Sequence, residues 1–164
     1  MIDPAVDFGG LAQRGYRFAL SLTHDSALAD DLVQDVWLSV LTTGGPWKIN
    51  YLIASIRNRY IDQYRRRKRI TFESLDDERP EEIDEPAEGD DELCFDVSRE
   101  AFYEALGVLT AEERGALYLA GVEDYSVQQI ADLFERPRGT MLSMMHRARQ
   151  KVRQSIASES RLRA

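Results

Sequence analysis

An all-α protein, built as two small helical domains joined by an acidic flexible linker, is predicted for this chain by three observations. Apolar residues recur at spacings of three and four wherever they cluster, and no stretch of useful length alternates as a strand would. Residues 71–97 hold thirteen Asp or Glu against the single cation Arg79, a local balance of −12. The chain has 164 residues, 43% of them apolar, which is enough for two small cores. The predicted division is a three-helix bundle over residues 1–70, the linker over 71–97, and a four-helix domain over 98–164 that ends in a helix-turn-helix.

Phe8, Leu11, Phe18 and Leu22 predict the first helix. The second is predicted over 27–41, where Val33, Val36, Trp37 and Val40 share a face and Asp30 and Asp31 favour the positive helix N-terminus. Gly44 and Gly45 mark a turn over 42–46, and the third helix is predicted from near Pro46 to Arg69. Ile49, Leu52, Ile53, Ile56 and Tyr60 form its inner stripe, with its basic end left outside. The linker carries Pro80, Pro86 and Gly89 among its acids and few large apolar residues, so burial cannot offset the entropy of ordering it.

Helices resume at Ser98. Phe102, Ala105, Leu106 and Leu109 make one stripe, Thr110 with Glu113 makes a capping box, and Leu117 and Ala120 continue inward. Ser126 with Gln129 makes a second capping box, after which Val127, Ile130, Ala131 and Phe134 share a face. Pro137 suits the first turn of a further helix, where its missing N–H has no partner to lose. There Met141, Met145, Ala148 and Val152 face the core, so Ser143, His146, Arg147 and Gln150 are expected on the opposite, exposed face.

The formal net charge of −8 does not exclude a nucleic acid as partner once it is divided along the chain. Outside the linker stand 20 basic and 16 acidic residues, and the basic ones cluster. Arg57, Arg59, Arg65, Arg66, Arg67, Lys68 and Arg69 face only Asp62, and residues 136–153 hold six Lys or Arg and no acid. Such patches suit phosphates.

Other chemistries find little support. Cys94 is the only cysteine, which excludes an internal disulfide, and with only His24 and His146 beside it no closely spaced set of thiol and imidazole ligands exists. The carboxylates lack a nucleophile, an oxyanion donor or a further ligand, so neither an enzyme nor a cofactor is expected. No apolar run approaches eighteen residues, so a cytoplasmic protein with no membrane insertion of its own is expected.

Three strings, ADDLVQDVWLSVL (29–41), YLIASIRNRYIDQYRRRKR (51–69) and LTAEERGALYLAGVEDYSVQQIADLFERPRGTMLSMMHRAR (109–149), resemble the extracytoplasmic-function (ECF) group of bacterial sigma factors. Their order and their separation by an acidic linker make the likeness specific, and it covers nearly the whole chain. The resemblance implies an alternative sigma factor. Such a protein binds the beta and beta-prime subunits of core RNA polymerase, directs it to promoter DNA, helps open the duplex, and is controlled by an anti-sigma factor. It implies that residues 1–70 bind polymerase and the minus-ten element, and that 98–164 read the minus-thirty-five element.

Helical spacing sets Asp31, Asp35 and Leu38 opposite Val33 and Val40, with Gln34 toward the edge of that side. Residue by residue, the resemblance assigns polymerase binding to Asp31, Gln34 and Asp35, and Leu38 is expected to join them. It assigns the minus-ten element to Asn58, with Arg59, Asp62, Arg65 and Arg66 at helical spacing beside it. Tyr60, Tyr64 and Trp47 are candidates for base stacking, although periodicity favours a core position for Tyr60. The connection between Leu41 and Leu52 is several residues shorter than is usual in the family, which shortens the loop expected to hold a flipped base. In the C-terminal unit Ser143, His146 and Arg147 are expected at base edges, and Arg138, Thr140 and Arg149 on phosphates. Leu142 and Met144 stand where the family pattern has cations, and each lost cation lowers the salt slope of binding by about one unit. Arg136 and Arg138 are placed to compensate, and Met144 is also a candidate for a surface gripped by an inhibitor. The linker's charge suits a positively charged channel that later accepts RNA, or a plain spacer.

Two other readings remain open on sequence. A stand-alone helix-turn-helix regulator would bind an operator as a stable dimer without polymerase. A sigma-like decoy would only occupy the anti-sigma factor, a reading that Leu142 and Met144 allow and that Asn58, the run from Arg65 to Arg69 and Arg147 oppose.

Overall fold

The computed structural model describes residues 6–70 and 99–162. Seven helices and no strand are found among the described residues. The chain divides into two compact units, residues 1–81 and 82–164. The linker predicted over 71–97, with Cys94, lies outside the described residues, as do the side chains of Arg69 and Phe102.

The first unit is a three-helix bundle in which α1 (Phe8–Thr23), α2 (Ser26–Thr43) and α3 (Ile49–Ile70) pack pairwise. Its core is Phe18, Ala19 and Leu22 of α1, Ala29, Leu32, Val36 and Val40 of α2, and Leu52, Ile53 and Ile56 of α3. Gly15 admits the close approach of α1 to α3, since a Cβ there would lie 3.3 Å from Ile56 Cδ1. The predicted stripe of α2 is turned by part of a step: Ala29 and Leu32 are buried, while Val33 and Trp37 are half-buried. The N-cap of α2 is Asp25, whose carboxylate accepts from Leu28 N at 3.0 Å. Asp30 and Asp31 therefore lie beyond the first turn, where the macrodipole has little hold on them. Gly44 ends α2 at φ +81°, a conformation costly for other residues, and its N–H donates to Val40 O. α3 begins at Ile49 rather than near Pro46, so residues 44–48 alone connect it to α2.

In the second unit α4 (Arg99–Leu106), α5 (Ala111–Gly121) and α6 (Val127–Leu133) all pack on α7 (Arg138–Leu162). Both predicted capping boxes are present. Thr110 and Glu113 close the start of α5, and Ser126 and Gln129 close the start of α6, each side chain bonding the other residue's backbone N–H. Met141, Met145, Ala148, Val152 and Ile156 of α7 are buried with Ala116, Leu119, Ile130, Ala131 and Phe134. Between α6 and α7 the chain turns through Glu135 at φ 54°, and Arg136 N donates to Ala131 O at 2.9 Å. Pro137 sits one residue before α7, its carbonyl accepting from Met141 N at 3.0 Å.

Candidate nucleic-acid interface

On α2, the residues opposite the core are Asp31, Gln34 and Leu38, all exposed, with Asp35 half-exposed beside them. Leu38 is 63% exposed and Leu41 54%, so this side carries large apolar groups that the unit itself does not cover. An acidic face with an uncovered leucine suits a protein surface better than DNA, which repels carboxylates.

On α3, Asn58, Arg59, Asp62, Arg65 and Arg66 are all exposed, together with Arg67 and Lys68. The helix's last turns thus present a row of cations whose side chains leave the bundle. Arg57, counted with that row on sequence, is buried at 6% exposure and does not belong to it. Its position follows Ile56 on the covered side of α3, which the linear run of cations conceals. Arg59 Nε lies 3.3 Å from Asp35 Oδ2, which joins this row to the acidic side of α2. Trp47 packs on Trp37 and Phe8, with both ring centroids 5.0 Å away, and so belongs to an aromatic cluster of the bundle. Tyr60 is half-buried and stacks on the exposed Tyr64.

On α7, Arg138 is exposed, and Thr140, His146, Arg147 and Arg149 are half-exposed. Ser143 differs from expectation: it is 5% exposed and does not stand on an open face. Periodicity gives the faces of a lone helix, whereas α7 is packed by three others and is covered along more than one stripe. Arg149 reaches the surface only in part, since its Nε is buried and makes no hydrogen bond. The side-chain nitrogens of Gln150 and His146 lie 3.1 Å apart, one helical turn from each other.

Two of the cations after residue 135 are held by acids of α5. Arg136 Nη2 is 2.8 Å from Glu112 Oε2, and Lys151 Nζ is 2.8 Å from Glu113 Oε1. The compensation expected of Arg136 is therefore reduced, because its guanidinium already has a carboxylate partner. Sequence reading missed these pairs, as it missed Arg59 with Asp35, because each joins residues at least 24 positions apart.

Comparison with known proteins fits this arrangement. Residues 10–70 match the family described as Sigma-70 region 2, and residues 99–152 match Sigma-70, region 4. The chain is 32% identical to the ECF RNA polymerase sigma factor SigE of Mycolicibacterium smegmatis, over 91% of this chain and 60% of that protein. It thus spans about three-fifths of the length of that relative. It is 30% identical to the ECF RNA polymerase sigma factor EcfG of Rhodopseudomonas palustris, over 82% of this chain and 75% of that one. Among solved structures, the sigma factor RpoE in complex with the anti-sigma factor NepR from Bartonella quintana shares the fold. The TM-score is 0.67 at 24% identity, over 92% of this chain and 94% of that one.

Proposed function

Since the chain belongs to the ECF family of RNA polymerase sigma factors, a family that directs transcription and is not enzymatic, we propose a division of labour among its exposed residues. Asp31, Gln34, Asp35 and Leu38 bind core polymerase. Asn58, Arg59, Asp62, Arg65 and Arg66 meet the minus-ten element and its opening strands. Arg138, Thr140, His146, Arg147 and Arg149 meet the minus-thirty-five element, with Ser143 left out because it is buried. The domains are residues 1–70 and 98–164, with 71–97 connecting them.

The observation that carries this reading is the placement of Leu38. A leucine 63% exposed one turn beyond Asp35, on the side of α2 turned from the bundle core, is unfavourable in water and favourable against a partner that buries it. Arg59 of α3 lies 3.3 Å from Asp35 of α2, the helix that carries Leu38, so one unit can hold polymerase on α2 and DNA on α3 at the same time.

An anti-sigma factor completes the proposal. The RpoE of similar fold is bound by one, and the uncovered Leu38 and Leu41 are of the kind an inhibitor can cover in competition with polymerase. The site of action is the cytoplasm, where core polymerase and promoter DNA meet. Among the described residues no helix is long and apolar enough to cross a membrane.

Titration of labelled core polymerase tests the reading. Leu38→Asp is expected to weaken core binding at least tenfold with an unchanged thermal midpoint. Unchanged core affinity would remove α2 from the interface. The free protein is expected to hold promoter DNA far more weakly than its complex with core does.

A further inference from the structure

On α7, Leu142 stands four residues after Arg138 and four before His146, so the three share one row along the helix, and Arg149 lies beside that row two turns after Leu142. Arg138 is exposed, and Leu142, His146 and Arg149 are half-exposed. Met144 lies on the other flank of the helix, two turns before Lys151, whose Nζ is bound to Glu113 of α5 at 2.8 Å. The core of the unit is filled without Leu142, since α7 supplies Met141, Met145, Ala148, Val152 and Ile156.

A leucine in a row of cations is unfitted to the phosphates that its neighbours suit. Against the polar edges of the bases it would displace water and return no hydrogen bond. In the major groove a duplex offers an apolar side chain one partner, the C5-methyl group of thymine. A protein could cover a leucine as well, but residues 136–153 hold six Lys or Arg and no acid, the charge of a surface for phosphates.

We propose that Leu142 is a specificity-determining residue that packs on the C5-methyl group of one thymine in the minus-thirty-five element, while Arg138 and Arg149 hold phosphates beside it. The inference rests on the reading that α7 meets that element. Counted by charge alone, Leu142 is a lost cation that weakens binding to every sequence. In this arrangement it adds a preference among sequences, because a cytosine in the same place sets its N4 amine against the leucine.

The test uses the full chain bound to core polymerase and a promoter duplex that this complex transcribes. Each thymine of the minus-thirty-five element is replaced in turn by deoxyuridine, which removes the methyl group and keeps every hydrogen-bonding edge. The wild type should lose affinity about fourfold at one position, the worth of one buried methyl group, and Leu142→Ala should lose none there. Leu142→Gln, a helix former of similar length, should also lose the response, whereas the apolar Leu142→Met should keep it. A methyl contact carries no charge, so Leu142→Ala should bind the unmodified duplex more weakly with an unchanged salt slope. The proposal is overturned if no thymine responds, if the element holds no A·T pair, or if Leu142→Ala lowers the salt slope as a lost phosphate contact would. It is overturned too if Leu142→Ala and Leu142→Gln keep the full response, which leaves the leucine to a protein partner. If replacing the whole element leaves affinity unchanged, the underlying reading of α7 fails as well.

Discussion

Arg59 Nε and Asp35 Oδ2 lie 3.3 Å apart and join the middle of α3 to the exposed side of α2, with 45% and 41% of the two side chains in solvent. One residue of the pair belongs to the proposed DNA surface and the other to the proposed polymerase surface. The two surfaces therefore adjoin within a single unit, and a change at either residue is felt at both.

The pair separates stability from binding. An ion pair this exposed contributes about 0–1 kcal/mol, so Asp35→Asn and Arg59→Gln should each leave the thermal midpoint within a few degrees. Asp35→Asn should weaken binding to core polymerase, and Arg59→Gln should instead lower the salt slope of promoter binding by the complex. Calorimetry beside binding titrations reads both; a large drop in midpoint for either variant would make the pair a structural one.

In the second unit, Arg136 and Arg138 differ although only one residue separates them. Arg136 is held 2.8 Å from Glu112, while Arg138 is exposed at the start of α7. Arg138→Gln should lower the salt slope of duplex binding by about 0.9, and Arg136→Gln by much less. Glu112→Gln should raise the slope by freeing Arg136. Affinities measured between low and moderate salt decide this, and equal slopes for the two arginine variants would remove the role of Glu112.

Glu113 combines two bonds in a buried place. Its Oε2 accepts from Thr110 N at 2.9 Å, and its Oε1 from Lys151 Nζ at 2.8 Å. Glu113→Ala deprives a helix start and a lysine of their acceptor and should cost about 1–3 kcal/mol. Glu113→Gln retains an acceptor for the cap and should cost less. Denaturant unfolding of the two variants gives the order, and equal losses would show that the cap contributes nothing.

Ser143 tests burial against the helical wheel. At 5% exposure it should accept Ser143→Ala with DNA affinity within about twofold of the wild type, whereas Arg147→Ala should lose affinity. Ser143→Leu should destabilise the unit by about 1–3 kcal/mol through overpacking. A selective loss of promoter binding by Ser143→Ala, at full stability, would return this residue to the base-reading set.

The helices were legible where the determining residues are close in sequence. Ser126 with Gln129 and Thr110 with Glu113 mark the starts of α6 and α5 because each box is closed within four residues. The stripe from Met141 to Val152 marks the buried side of α7 for the same reason. What was not legible depends on partners distant along the chain. The cap of α2 falls to Asp25 because the helix begins a residue earlier than expected, which moves Asp30 out of the first turn and Asp31 further from it. Ser143 is covered because three helices surround α7, a fact of packing that no single-helix pattern contains. Arg57 is buried beside exposed neighbours of the same charge, and Arg59 and Arg136 are tied to acids on other helices. Composition therefore located the basic patches, while only the fold decides which of their cations remain available.

The proposed role, giving core polymerase its choice of promoter, requires α2 and α3 together. Purified protein is added to core polymerase and a library of promoter fragments, and the transcripts are sequenced, with Leu38→Asp and Asn58→Ala run in parallel. RNA is expected to start downstream of a defined subset of promoters, dependent on both core and the added protein, nearly abolished by Leu38→Asp and reduced by Asn58→Ala. RNA that does not depend on the added protein, or no core-dependent RNA from any fragment, would rule out that role.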